Sequence, residues 1–486
     1  MLYNRYPMAG LKEKCAVFGV SGHQDAAYIT SIGLAALNHR GQDGSGITST
    51  DGRKMRTHKG KGLVNAVYAS DPWNTLRGDT AVGHNRYGTS EGSSESDDHL
   101  GPITQVRRKG ILRRRPTIAI AVNGNNPDTT ALENRLRQIG RFSPRDNDTE
   151  MEHALIDYHV RNGASVEDAV IITKAIADSA YSLLAMDRKG KLVAARGPHG
   201  IRPLVMGELE RKDGKATVFS SETCALDVIG AQTIREVRPG EMIVVENGQL
   251  RSIQFAEGQE KIDPFEYLYF ARPDSILKGQ TIQTVRERMG AKLFQEEKTR
   301  VDADMVISVP DSGTPAAIGY ARASGIPYRA GFVSNRYSGR TFIKPGAEID
   351  TAIARKLNPM PEVVRGKKII LVEDSAVRGK TLKRSTRLLR GAGVDKIHIR
   401  ISSPEILFPD FFGINTPNQK DLIAFLKNVE EMRQEFGADS LQFLSVDGMV
   451  DAIGIPRENL NLSCFTGEYP MDIGKRREEV VFAPQR

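Results

Sequence analysis

Cysteine is scarce in this chain: Cys15, Cys224 and Cys464 are its only three, and they stand far apart. Their separation excludes a local CxxC metal knuckle. The opening residues MLYNRYPMAGLKEK contain no secretory apolar segment, so disulfides are not expected either. Any role for a cysteine is therefore individual. Long apolar runs are also missing, and none approaches the ~20 residues that a membrane-spanning helix requires. These absences point to a cytoplasmic chain with no membrane partner. No zinc-finger or RNP motif occurs, so the formal net charge of +8 calls for anionic partners without naming nucleic acid, and small phosphorylated substrates satisfy it. The densest basic run, Arg107, Arg108, Lys109 then Arg113, Arg114, Arg115, reads as a solvated loop or hairpin.

What is present fits a globular protein of two or three domains: 486 residues, 39% hydrophobic and 26% charged. In the first half, CAVFGVSG reads as a strand, and Ala26 to Leu37 as a helix ending at the polar turn NHRGQDGSG. Further strands are predicted at Thr80–Gly83, Thr117–Val122, Tyr181–Asp187, Leu192–Arg196, Val218–Ser221 and Met242–Glu246, with helices over Thr129–Ile139 and Met151–Arg161. Strands and helices in this order predict a layered α+β sandwich whose boundary falls in the polar stretch Phe255–Pro264. Cys224 reads as a small core residue and Cys464 as a buried position of the tail.

The second half alternates strand and helix. Met305–Val309, Tyr328–Phe332, Ile369–Val372 and Lys396–Ile401 read as strands of a parallel sheet with right-handed crossovers. The stretch IILVEDSAVRGKT, Ile369 to Thr381, is the most telling. Four apolar residues form a buried strand, Glu373 and Asp374 follow at its end, and a glycine-bearing turn leads into a helix. Backbone N–H groups in such a turn can cradle a phosphate, while the two acids face a ribose or a magnesium ion. An ordinary strand-to-helix turn with acids as caps has the same outline.

The motifs beside Cys15 resemble a known family. KCAVFGV, LNHRGQDGSGI, VGHNRYGT, NGN at Asn123–Asn125 and NDTE at Asn147–Glu150 resemble the glutaminase domain of N-terminal-nucleophile amidotransferases. In the second half, FEYLYFARPDS, VPDSG at Val309–Gly313, NRYSGRTFI at Asn335–Ile343 and RISSPE at Arg400–Glu405 resemble type I phosphoribosyltransferases. Together they resemble the amidophosphoribosyltransferase family from Cys15 to about Ile473. The fold this implies is a four-layer αββα sandwich of the Ntn-hydrolase type, followed by a parallel-sheet phosphoribosyltransferase domain. The expected divisions are a propeptide-like segment 1–14, a glutaminase domain 15–260, a phosphoribosyltransferase domain 261–450 and a tail 451–486.

The resemblance also implies site residues and partners. Cys15 is the nucleophile once residues 1–14 are removed, because its freed α-amine, with a pKa of about 8, is a usable base. Asn123 and the N–H of Gly124 form the oxyanion hole, and Arg86, Thr89 and Asp148 bind glutamine. Taken singly, Arg86 also fits a surface ion pair, Asp148 a helix N-cap, and Asn-Gly a turn. For phosphoribosylpyrophosphate, the implied residues are Asp311, Ser312 and Gly313 at the pyrophosphate, and Glu373, Asp374, Ser375, Arg378, Gly379 and Thr381 at the ribose phosphate. Arg336 and Arg340 lie in the closing loop. Magnesium is implied at Glu373 and Asp374, and a homodimer or homotetramer inhibited by purine nucleotides is expected.

Several positions depart from the family pattern: Ala16 follows the nucleophile where glycine is usual, Val122 replaces a histidine before NGN, and HLGP at His99–Pro102 replaces Asn-Ala-Gln-Pro. In the loop, Glu373 replaces aspartate and Lys380 replaces threonine. The changes at Ala16, Val122 and His99 motivate one alternative to a glutamine-dependent enzyme, a phosphoribosyltransferase using ammonia or another amine with a vestigial glutaminase. A non-catalytic sensor of phosphoribosylpyrophosphate or nucleotides is the other. The tail SCFTGEYPMDI resembles the branch with a four-iron cluster, but the matching positions are Pro264, Asp410, Glu458 and Asn461. No iron–sulfur cluster is expected, since thiolates hold such clusters.

Overall fold

Two antiparallel sheets packed face to face make up the first half of the computed structural model, which describes residues 15–86, 99–104, 115–142, 147–212, 214–334, 357–412 and 418–481. The strands are β1 (Ala16–Ser21), β2 (Gly44–Thr50), β3 (Met55–Lys61), β4 (Thr80–Arg86), β5 (Ile118–Asn125), β6 (Ala180–Asp187), β7 (Leu192–Arg196), β8 (Val205–Arg211), β9 (Gly214–Ser220), β10 (Gln232–Glu236), β11 (Glu241–Glu246) and β12 (Gln249–Gln254). One sheet has the order β10-β8-β9-β1-β4-β2-β3 and the other β12-β11-β7-β6-β5.

The two-residue period of a strand sorts their side chains into separate cores. Along β1, Ala16, Phe18 and Val20 pack under the helix Ala26–Ala36, whereas Val17 faces the second sheet. On β5, Ala119 and Ala121 meet the first sheet, and Ile118, Ile120 and Val122 meet the helices Asp148–Arg161 and Val166–Lys174. The result is the expected four-layer αββα sandwich.

Two local expectations fail here. The polar turn predicted after Leu37 ends early, because Gly44–Thr50 is a wholly buried strand between β3 and β4. Its sequence GSGITST has one large apolar residue, so small side chains fill the layer without an apolar period. The helix Val166–Lys174 was not predicted, although Ser165 caps it by accepting a hydrogen bond from Asp168 N.

The second half carries β13 (Ile276–Leu277), β14 (Gln280–Thr281), β15 (Met305–Ser308), β16 (Phe332–Ser334), β17 (Leu357–Pro359), β18 (Lys368–Glu373), β19 (Lys396–Ile401) and β20 (Ser440–Phe443). The sheet β15-β18-β19-β20 is parallel throughout. Ile370 and Val372 join the core under the helices Ile282–Gln295 and Thr314–Ser324, while Ile369 and Leu371 join the core on the opposite face. Burial on both faces explains why this strand reads as an unbroken apolar run. The strand predicted at Tyr328–Phe332 is corrected: Tyr328 makes one bridge to Val306, and β16 pairs antiparallel with β17 instead. Pro327 lacks an N–H for a ladder there.

The halves are pinned by buried charge. Arg40, 1% exposed, is clasped by Glu222 and by Glu266, and Arg202 lies 3.5 Å from Glu266. His39, Ser275 and the Arg272 N–H complete the shell of Glu222, which buried acids require. Arg40 holds Glu222 well below the usual carboxylate range despite its burial. The stretch after β12 is held as well: Ile262 bridges to Leu460, and Leu460, Cys464 and Phe465 sit in the same core as the helix Ile282–Gln295.

Candidate active site

Strand register brings the parts of the first site together. Ala16 pairs with Asn85, so the antiparallel register places Cys15 opposite Arg86 at the end of β4, and Arg86 pairs in turn with Gly44. Cys15 is half-buried, and Ala16 is buried beneath the helix Ala26–Ala36. The Arg86 guanidinium donates to the His99 carbonyl, and the His99 ring lies 3.1 Å from Glu150 at the start of the helix Asp148–Arg161. The segment His99–Pro102 thus spans from Arg86 to that helix. Thr89 and the arginine run from Arg107 to Arg114 lie outside the described residues.

Asn123 and Gly124 are strand residues of β5, not a turn. Asn123 shares the parity of Ala119 and Ala121, which face the sheet that carries Cys15. Its side chain is fully buried, and neither its Nδ2 nor its Oδ1 has a hydrogen-bond partner. A buried amide without partners costs about 1–3 kcal/mol. Gly124 is a close approach: a Cβ there would stand 2.3 Å from the Ala180 carbonyl oxygen. Val122, where the family pattern has histidine, offers its carbonyl to His84 Nε2 at 3.1 Å.

Asp148 is not the helix cap. Asn147 is, in a capping box with Glu150. Asp148 accepts instead from Asn126 N at 3.3 Å and from Thr149 N at 2.8 Å, while Asn126 Nδ2 reaches Glu152 at 2.8 Å. Burial and the neighbouring Glu152 push the Asp148 carboxyl up.

The second site forms at the carboxyl ends of parallel strands. Ser308 on β15 is level with Val372 on β18, and Val309 N donates to the Val372 carbonyl at 3.0 Å. That register sets Asp311–Gly313 beside Glu373 and Asp374. Ser312 and Ser375 both hydrogen-bond the Asp374 carboxylate. Glu373 and Asp374 are 6% and 4% exposed, and Glu373 Oε2 is buried without a partner. Burial, then the adjacent Asp374, drives the Glu373 carboxyl well above the usual range. Gly379 caps the helix Lys380–Gly391 at φ 69°, where a Cβ would come within 2.5 Å of the Phe436 ring. Only glycine turns the chain here without strain. Thr381 enters the first turn of that helix, and Arg378 is tied to Asp421 at 2.6 Å. Arg336 and Arg340 lie outside the described residues.

One site neighbour escaped the sequence reading. Arg286, in an otherwise apolar helix face with Val285 and Met289, donates to the Tyr267 and Ala271 carbonyls at 2.6 and 2.8 Å. Burial lowers its pKa to about 10, and its charge acts on Asp374. The single cation inside an apolar helical stripe was its available signal.

At the positions matched to cluster ligands, Asp410 accepts hydrogen bonds from Asn461 and Ser463 at 3.1 and 3.3 Å, Pro264 is buried and Glu458 is exposed. No helix among the described residues is long and apolar enough to cross a membrane.

Known proteins resemble this chain in sequence and fold. Residues 274–402 match the family described as phosphoribosyl transferase domain. An amidophosphoribosyltransferase of Bacillus subtilis is 41% identical over 472 residues, covering 96% of this chain and 95% of that protein. One from Rhizobium etli is 42% identical over 475 residues, covering 95% and 92%. The solved glutamine phosphoribosylpyrophosphate amidotransferase of B. subtilis, complexed with ADP and GMP, superposes with a TM-score of 0.85 at 40% identity, over 96% of this chain and 99% of that one. With relatives this similar along nearly its full length, the chain belongs to the amidophosphoribosyltransferase family.

Proposed function

We propose that the protein makes 5-phosphoribosylamine from phosphoribosylpyrophosphate and glutamine, the opening reaction of purine synthesis. The buried, unpartnered amide of Asn123 beside the side-chain-free Gly124 carries this reading. Such a pair suits an oxyanion that exists only after nucleophilic attack, and removing one donor of this kind costs about 10²–10³ in rate.

Glutamine sits with its α-carboxylate on Arg86 and its α-ammonium on Asp148, with Thr89 adding to the pocket. Once residues 1–14 are removed, the Cys15 α-amine takes the thiol proton and the sulfur attacks the amide carbon. Asn123 Nδ2 and Gly124 N–H hold the resulting oxyanion. Collapse expels ammonia, which carries away the proton the amine had taken, and water cleaves the thioester to glutamate. Ammonia then attacks the ribose C1 of phosphoribosylpyrophosphate, and pyrophosphate leaves.

The ribose 5-phosphate rests on the backbone from Asp374 to Thr381 and on the Ser375 and Thr381 hydroxyls, with Arg378 at its edge. Asp311, Ser312 and Gly313 line the pyrophosphate, and Arg336 and Arg340 close over it. Glu373 and Asp374 take the ribose hydroxyls or a magnesium ion. The unpartnered Glu373 Oε2 fits a cation held by one or two carboxylates and substrate oxygens. Magnesium, when bound, supplies positive charge against the leaving pyrophosphate. The donor set at Pro264, Asp410, Glu458 and Asn461 does not fit an iron–sulfur cluster, and no step is assigned to one.

The reading extends to a glutaminase unit over 15–260, a phosphoribosyltransferase unit over 261–450 and a tail over 451–486. It includes a cytoplasmic homodimer or homotetramer inhibited by purine nucleotides. Mass spectrometry of purified protein, with assays for glutamate and phosphoribosylamine, tests it. An N-terminus at Cys15 and equal yields of both products are expected; an intact Met1 together with no glutamate release overturns it.

A further inference from the structure

Four polar or side-chain-free positions in a row, Asn123 to Asn126, lie at and just past the end of β5, and they go to different places. Asn123 and Asn125 share one face and Gly124 the other, while Asn126 follows just past the strand's end. Asn126 is anchored within the first half, on Asp148 and Glu152. Asn125 is anchored outside it: its Nδ2 donates to the Phe411 carbonyl at 2.6 Å, across to the second half.

That carbonyl belongs to a firmly held loop. Asp410 accepts from Phe412 N at 2.8 Å and binds the Asn461 and Ser463 side chains. The Tyr469 hydroxyl donates to the Pro409 carbonyl at 2.8 Å, and its ring packs on Phe411. Arg202, fully buried, donates twice to the Phe412 carbonyl, at 3.0 and 2.7 Å. Phe411 and Phe412 share an apolar cluster with Ala180, the β6 partner of Asn125, and with Ile201 and Ile473.

We propose that Asn125 is a positioning residue for glutamine hydrolysis: its bond to the Phe411 carbonyl lets the second half hold the strand end that presents Asn123 and Gly124. The inference rests on the oxyanion role given to those two residues. An oxyanion donor acts through placement to within a fraction of an ångström, so a strand end released on one side loses rate before it loses substrate affinity.

The test compares the full chain with Asn125→Ala and with the isosteric Asn125→Asp, which turns an acceptor toward the carbonyl. For both variants, kcat with glutamine is expected to fall about tenfold or more, with KM for glutamine changed less than about threefold. Phosphoribosylamine formation from ammonium salts is expected to stay at the parent level, because supplied ammonia bypasses the oxyanion step at Asn123 and Gly124. Three results overturn the proposal: unchanged kcat with glutamine, a parallel fall with ammonia, or failure of both variants to accumulate as folded protein. The parent is assayed first. Absence of Cys15-dependent glutamate release from it removes the reading on which the proposal rests, a result distinct from any variant-specific outcome.

Discussion

At the proposed phosphate loop, Glu373, Asp374 and Gly379 arrive in one short stretch between a buried strand and a helix. In the proposed glutamine site, Cys15, Arg86, Asn123 and Asp148 come from four separate segments, and strand register sets Cys15 opposite Arg86. The difference follows from the sheets. A parallel strand delivers its end and the next helix's start as one local unit, and neighbouring strands add further loops at the same edge. An antiparallel sandwich has no such unit, so the pocket proposed there draws on register and layer spacing, and Asn125 next to it reaches the Phe411 carbonyl of the other half. A short motif can therefore announce the first kind of site, whereas the second needs several fragments in order.

The largest expected effect separates the two sites outright. Cys15→Ala is expected to lower glutamine-dependent synthesis by about 10³ or more while ammonia-dependent synthesis persists, measured in parallel assays. Loss of both activities would break the division of labour. Next, Asn123→Ala is expected to cost about 10²–10³ in kcat with glutamine and to leave KM nearly unchanged. A rise in KM alone would assign Asn123 to substrate binding. Asp374→Asn sharpens the contrast from the other side: both glutamine- and ammonia-dependent synthesis should fall together, by about 10²-fold, because one loop serves both reactions.

Smaller effects lie in stability. Gly379→Ala forces a side chain into φ 69° against Phe436 and Ile423, and is expected to cost about 1–3 kcal/mol in urea unfolding. The slightest effect is at the junction. Burial beside Asp410 raises the Asp263 carboxyl from 3.8 to about 7. Between those values the folded protein keeps a proton that the unfolded chain releases, so stability present at low pH is lost as pH rises through about 7. Asp263→Asn has no such proton, and its Tm should gain on the parent's by about a few degrees from pH 5 to pH 8. A constant difference would remove Asp263 as the titrating group.

Legibility differed in the same way as the sites. Lys396–Ile401 and Leu192–Arg196 were read with their true limits, since buried β-branched and aliphatic runs carry their own signal. Gly44–Thr50 was hidden because small residues fill a crowded layer without an apolar period. The acid at position 148 was readable as a cap or a ligand; only the geometry shows the cap role taken by Asn147. Arg286 could not be tied to Asp374 from spacing, because the helix and the loop are far apart in the chain.

By itself, the sequence determined the α+β then α/β order, the strand, acid pair and glycine turn of Ile369–Thr381 and the set of segments around Cys15. These are local patterns of burial, turn chemistry and charge. Only the tertiary structure decided that Cys15 stands opposite Arg86, that Asn123 is buried without partners, and that Asn125 reaches the Phe411 carbonyl. Register and packing between distant segments set those facts, and neither is written in any single stretch of chain.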